Sequence, residues 1–173
     1  MKNSKKITFS AIMAALATVI MLVSYFPYLT YAVPAIAGLC IMVVVIEINK
    51  KWALLSYFSA AFLSFLLAEF ESMILFVSFF GYYPILKSII EKLGKPIPEW
   101  ILKILTFNTA VILVYLSLSH LISFAEMGSF ADYAELILLA MGNIVFVLYD
   151  IAISRVSWLY FDKFHFRLAK FFK

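Results

Sequence analysis

The sequence predicts an all-α, polytopic membrane protein: a bundle of six transmembrane helices with both termini in the cytoplasm. Three observations predict it. Of 173 residues, 65% are hydrophobic and the mean hydropathy is +1.03, far above the roughly 45–50% apolar content of soluble domains. Six apolar stretches, at residues 7–26, 33–48, 52–70, 72–90, 100–124 and 133–160, alternate with short connections, and each is close to the roughly 20 residues that cross about 30 Å of hydrocarbon. All 14 Lys and Arg residues can be placed on one face: 11 lie at the N-terminus, the second and fourth connections and the tail, and Lys87, Lys103 and Arg155 lie within reach of the same face. The positive-inside rule makes that face cytoplasmic.

The first stretch follows Lys2, Lys5 and Lys6, as the core of a signal peptide would. Its apolar run is too long for one, and no small-x-small cleavage pattern precedes the next stretch, so it is expected to be the first helix. The connection at 27–32 has no cation. The second stretch is short unless its helix starts nearer Tyr28, with Pro34 as a kink or first-turn residue. Lys50 and Lys51 close it, and Trp52 opens the third. There Ser56, Ala60, Ser64 and Ala68 recur at i+4, a stripe of small residues that lets helices approach closely in lipid.

Glu69 and Glu71 mark the second outer connection. The fourth stretch, interrupted only by Pro84, places Tyr83, Lys87 and Glu91 on one helical face. The Gly94-Lys95-Pro96-Ile97-Pro98-Glu99 segment then ends one helix and starts another, with Gly after a helix and Pro at the next first turn. The fifth stretch aligns Asn108, Tyr115 and Ser119; the sixth aligns Asn143 and Asp150 at i+7. Between them the connection at 125–132 carries Glu126 and Asp132 but no Lys or Arg. Trp52, Trp100 and Trp158 fall at the cytoplasmic boundary, where interfacial aromatics sit. Residues 1–163 are read as a single six-helix domain, and 164–173 as a basic aromatic cytoplasmic tail suited to the headgroup layer.

Composition also narrows the chemistry. The apolar stretches account for nearly the whole chain, so no soluble catalytic domain is expected and the protein is not read as an enzyme. There is no Gly-rich phosphate loop, no HExxH and no Cys/His cluster, so neither metal nor cofactor is expected. Cys40 is the lone cysteine, and His120 and His165 fall at opposite faces. The net charge of +4 comes from flanking anchors, which points to anionic lipid in the bilayer rather than to nucleic acid.

Ionisable groups inside a span cost about 2.5–3.5 kcal/mol each on insertion scales and need a partner or a task. Glu47, Lys87, Lys103 and Asp150 lie one to two turns inside the cytoplasmic boundary, an intramembrane cluster of two acids and two bases. The lysines can also snorkel. The short side chain of Asp150 cannot, and Lys87, Lys103 and Arg155 are all candidates to pair with it. The polar faces of the last three stretches allow two readings. One is a ligand pocket lined by Tyr83, Asn108, Tyr115 and Asn143. The other is interhelical hydrogen bonding, worth about 0.6 kcal/mol per pair.

The run Thr8-Phe9-Ser10-Ala11-Ile12-Met13-Ala14-Ala15-Leu16-Ala17, on a chain of this length and topology, resembles the opening helix of the substrate-binding S components of energy-coupling factor (ECF) vitamin transporters. The resemblance implies that Ala11 and Ala15, the Ala-xxx-Ala stripe, contact a partner T subunit. It also implies that separate ATPase subunits supply the energy and that the chain binds a vitamin or another small molecule at the plasma membrane. The alternatives are an ion-coupled small carrier, in which Asp150, Lys87 and Glu47 exchange protons, and a non-transport membrane scaffold or accessory protein.

Overall fold

The computed structural model describes residues 3–26, 28–119 and 131–165. Lys2, His120, Glu126, most of the connection at 125–132 and the tail from Phe166 onward lie outside the described residues. Among those described the chain is all helical: α1 (Asn3–Leu22), α2 (Ala32–Glu47), α3 (Lys50–Leu67), α4 (Phe70–Leu75), α5 (Tyr83–Ile90), α6 (Pro96–Ser119) and α7 (Ala131–Tyr160). Four segments are long and apolar enough to cross a membrane: Asn3–Tyr25, Phe70–Leu93, Pro96–Leu116 and Leu139–Lys163. The 16 residues of α2 are apolar but short, about 24 Å at the rise of an α-helix. α3, 18 residues opening on Lys50 and Lys51, is not among the four.

Local chemistry explains the boundaries. Pro34 sits in the first turn of α2, where its missing N–H costs nothing. The α2–α3 connection is tight because the Asn49 side chain caps α3, its Oδ1 accepting from the Trp52 amide at 3.1 Å. Glu69 caps α4 in the same way, its carboxylate accepting from the amide of Ser72 at 3.3 Å. Gly94, at φ 65°, takes the left-handed conformation that ends a helix without a Cβ penalty, and Pro96 begins α6 at once. α6 therefore starts within the Gly94–Glu99 segment that the sequence marks, four residues before the apolar stretch at 100–124.

The fourth stretch departs from a helix interrupted only at Pro84. A π-turn at Phe76–Phe80 intervenes between α4 and α5, closed by the Gly81 amide donating to the Phe76 carbonyl at 2.8 Å. Pro84 has no N–H to return to the Phe80 carbonyl, so the ladder cannot run through. Gly81 fits the bend because a Cβ there would stand 2.7 Å from carbons of the Tyr57 ring.

Small residues set the packing of the first half. Ser10, Ala14, Ala17 and Thr18 of α1 are buried, as are Ser56, Ala60 and Ser64 of α3. The Ser56 hydroxyl donates to the Ser10 carbonyl at 3.1 Å, a contact only close backbones permit. A second core is aromatic: Phe79, Tyr83 and Phe146 are buried together with Phe107 packed against them, and the Phe107 and Phe146 rings stack at 4.8 Å. Outside, the bundle is apolar, with Phe62, Phe65, Leu66, Leu113, Ile144 and Leu148 among many exposed hydrophobic side chains, while Lys87, Lys103 and Asp150 are buried. That inversion of the soluble pattern suits a lipid surround.

Candidate functional site

The helices converge their charges at one end of the bundle. Asp150, on α7, is 3% exposed. Its Oδ1 accepts from the Tyr83 hydroxyl at 2.6 Å and from the Lys87 ammonium; its Oδ2 accepts from Lys103 at 3.0 Å. Lys87 also donates to the Asp150 backbone carbonyl at 3.2 Å. Both lysines then share Glu91 Oε1, each at 2.8 Å. Two cations and two anions from α5, α6, α7 and the turn after α5 thus form one balanced network. Trp100 covers its edge, with its ring 5.4 Å from Lys103 Nζ. Of the predicted charge cluster, the structure brings Lys87, Lys103 and Asp150 together and places Glu47 elsewhere, accepting from the Tyr160 hydroxyl at 2.8 Å. Glu91 takes its place. Arg155 has no ion pair with Asp150 among the described residues.

The other predicted positions separate. Tyr83 is closed within the network and fully buried. Asn108 and Asn143 face each other across α6 and α7, exchanging side-chain hydrogen bonds at 3.0 and 3.1 Å. Tyr115 lies exposed further along α6. None of the four lines the open volume between the helices. That volume is a cleft of about 580 Å³ between α6 and the broken α4–α5 segment, walled by Phe70, Met73, Val77, Leu105 and Leu113, with Ser78, Thr106 and Thr109 as its hydroxyl groups. No sequence periodicity announces it, because its walls come from both sides of the π-turn and from α6.

The opposite end carries the acidic connections. Ser24 Oγ accepts from the Glu69 amide at 3.3 Å, Ser72 donates to the Thr30 carbonyl at 2.7 Å, and Tyr31 donates to Glu71 at 3.3 Å. The Glu71 carboxylate beside Tyr31 holds that phenol above the usual tyrosine range. These bonds tie Ser24, Thr30 and Tyr31 to the segment 69–72. On α1 the two neighbouring small-residue stripes differ in burial: Ser10, Ala14 and Thr18 are buried, Ala11 and Ala15 exposed.

No protein-family model, curated protein or solved structure matches this chain.

Proposed function

We propose that the chain is the membrane-embedded substrate-binding subunit of a small-molecule uptake transporter of the ECF type, crossing the plasma membrane six times with both ends in the cytosol. The observation that carries this reading is the division of α1. One stripe of small residues is consumed by packing against α2 and α3, which leaves the Ala11/Ala15 stripe open at the end that bears Lys50, Lys51 and Lys92. A shallow face of that kind admits a partner helix closely, and in this reading the energy comes from such a partner, since the sequence carries no Gly-rich phosphate loop. The cleft beside α6 falls in the 300–1,000 Å³ range of small-ligand sites, and its walls suit an apolar molecule carrying a few hydroxyl or carbonyl groups.

The test is purification from native membranes. Co-purification of a T subunit and ATPase subunits is expected, together with its loss in Ala11→Leu and Ala15→Leu chains that still bind ligand. Loss of ligand binding in those variants, with the partner subunits retained, overturns the docking role.

One observation favours a second reading, an ion-coupled carrier. A buried carboxylate, Asp150, lies beside a helix broken near its middle, and carriers build ion sites from such interruptions. Uptake into vesicles driven by a proton gradient, without any ATPase subunit, would decide for it.

A further inference from the structure

A second groove runs along the flank of the bundle between α3 and α5. It has a volume of about 500 Å³ and is lined by Leu54, Phe58, Tyr82, Ile85, Leu86 and Ile89, with Lys50 and Lys51 closing one end. From Lys50 to Phe58 it follows α3 for about 12 Å at helical rise. Leu54, Phe58 and Ile89 are exposed, so in a bilayer the groove opens onto acyl chains. No carboxylate lines it. The buried lysines of the molecule are neutralised by Asp150 and Glu91, but among the described residues no carboxylate pairs with Lys50, Lys51 or Lys92. Lys50 makes one hydrogen bond, to the Ser88 carbonyl at 2.9 Å, which fixes its ammonium at the mouth with donors to spare. Partial desolvation first, and then the charge of nearby Lys92, lower the Lys50 ammonium below the usual lysine range. The N-terminus of α3 adds its positive dipole end at the same place.

We infer that this groove holds an acyl chain of an anionic phospholipid drawn from the surrounding bilayer, with the phosphate seated against Lys50 and Lys51. An apolar trough ended by uncompensated cations matches that amphiphile at both ends: the chain covers Leu54, Phe58 and Ile89, and the headgroup supplies the missing negative charge. A zwitterionic lipid satisfies the trough but brings its own cation to the lysines. Clusters of basic residues beside membrane helices select anionic headgroups in this way. The inference asks only that the chain lie in a bilayer, and stands apart from any role in transport.

Native mass spectrometry of the detergent-purified full chain tests it, using phosphatidylglycerol and phosphatidylcholine with identical acyl chains. Phosphatidylglycerol adducts should appear at about tenfold lower lipid concentration than phosphatidylcholine adducts. The double variant Lys50→Gln, Lys51→Gln should bring the two lipids to within about threefold of each other, while Lys163→Gln leaves the preference intact. Leu54→Trp, which fills the trough and keeps both lysines, should weaken retention of both lipids. Equal retention of the two lipids by the unaltered chain overturns the inference. So does a preference that survives loss of both lysines, and so does undiminished binding in the Leu54→Trp chain.

Discussion

Replacing Asp150 with Asn keeps the shape of the side chain and removes one of the two negative charges that balance Lys87 and Lys103. At 3.0 Å and an effective dielectric constant near 20, a single Lys–Asp contact represents about 5–6 kcal/mol of gross attraction before desolvation is subtracted. The net effect is smaller but still large, because the variant leaves two buried ammonium groups sharing one partly exposed carboxylate, Glu91. Removing one partner of a buried ion pair typically costs about 3–5 kcal/mol. Asp150→Asn should therefore destabilise the chain by about 3 kcal/mol, read as the shift in the midpoint of unfolding in mixed detergent micelles, followed by circular dichroism. The second half of the prediction is compensatory. Lys87→Met combined with Asp150→Asn removes one charge of each sign and leaves Lys103 with Glu91, so the double variant should regain at least half of the loss. A single variant within about 1 kcal/mol of the original chain, or a double variant worse than the single, would refute the idea that charge balance holds α5, α6 and α7 together.

Other expectations follow from the same geometry. Gly38→Ala should cost about 2–3 kcal/mol, because a Cβ would stand 2.5 Å from the Phe80 carbonyl oxygen and 2.8 Å from the Tyr149 hydroxyl; thermal unfolding in detergent measures it. For the Asn108–Asn143 pair, a double-mutant cycle with Leu at both positions should return a coupling energy of about 0.6–1.2 kcal/mol, and zero coupling would show that the reciprocal hydrogen bonds at 3.0 and 3.1 Å contribute nothing. On α1, Ala14→Leu should lower stability by about 1–3 kcal/mol by overpacking a buried position. Ala11→Leu should leave the melting temperature within 2 °C or so, since a change on an exposed face stays within about 0.5 kcal/mol.

The elements legible in the sequence are those set by one-dimensional signals. Apolar runs marked the helices, Gly94 and Pro96 marked ends, and of the i+4 stripe Ser56, Ala60, Ser64 and Ala68 the first three are buried, while Ala68 is half-buried at the end of α3. Depth along a helix was readable too: Asp150, Lys87 and Lys103 lie at one level because each falls a similar distance from a basic boundary. What depth does not encode is direction around the axis. Glu47 shares that level but faces Tyr160, whereas Glu91, one residue beyond the predicted apolar stretch 72–90, shares a helical face with Tyr83 and Lys87 and joins them. The i+4 relation of those three residues was the better guide, and weighing it above depth would have found the fourth member of the network.

The break in the fourth helix shows the same division between local and distant causes. Pro84 announces an interruption, but its form depends on a residue far away in sequence. The Tyr57 hydroxyl donates to the Val77 carbonyl at 2.7 Å, inside the π-turn, and its ring leaves room only for a glycine at Gly81. A π-turn lengthens the hydrogen-bonded ring by one residue and so turns the following helix out of register. The cleft beside Thr106 and Thr109 runs along this broken segment, with Met73, Val77 and Ser78 on the wall that faces α6. Tyr57→Phe removes the bond and keeps the ring, so the π-turn loses its anchor without a cavity being made. The cost should be about 1 kcal/mol, and if the cleft is the ligand site, ligand affinity should fall further than that stability loss explains. An unchanged affinity in a folded Tyr57→Phe chain would separate the site from the bend.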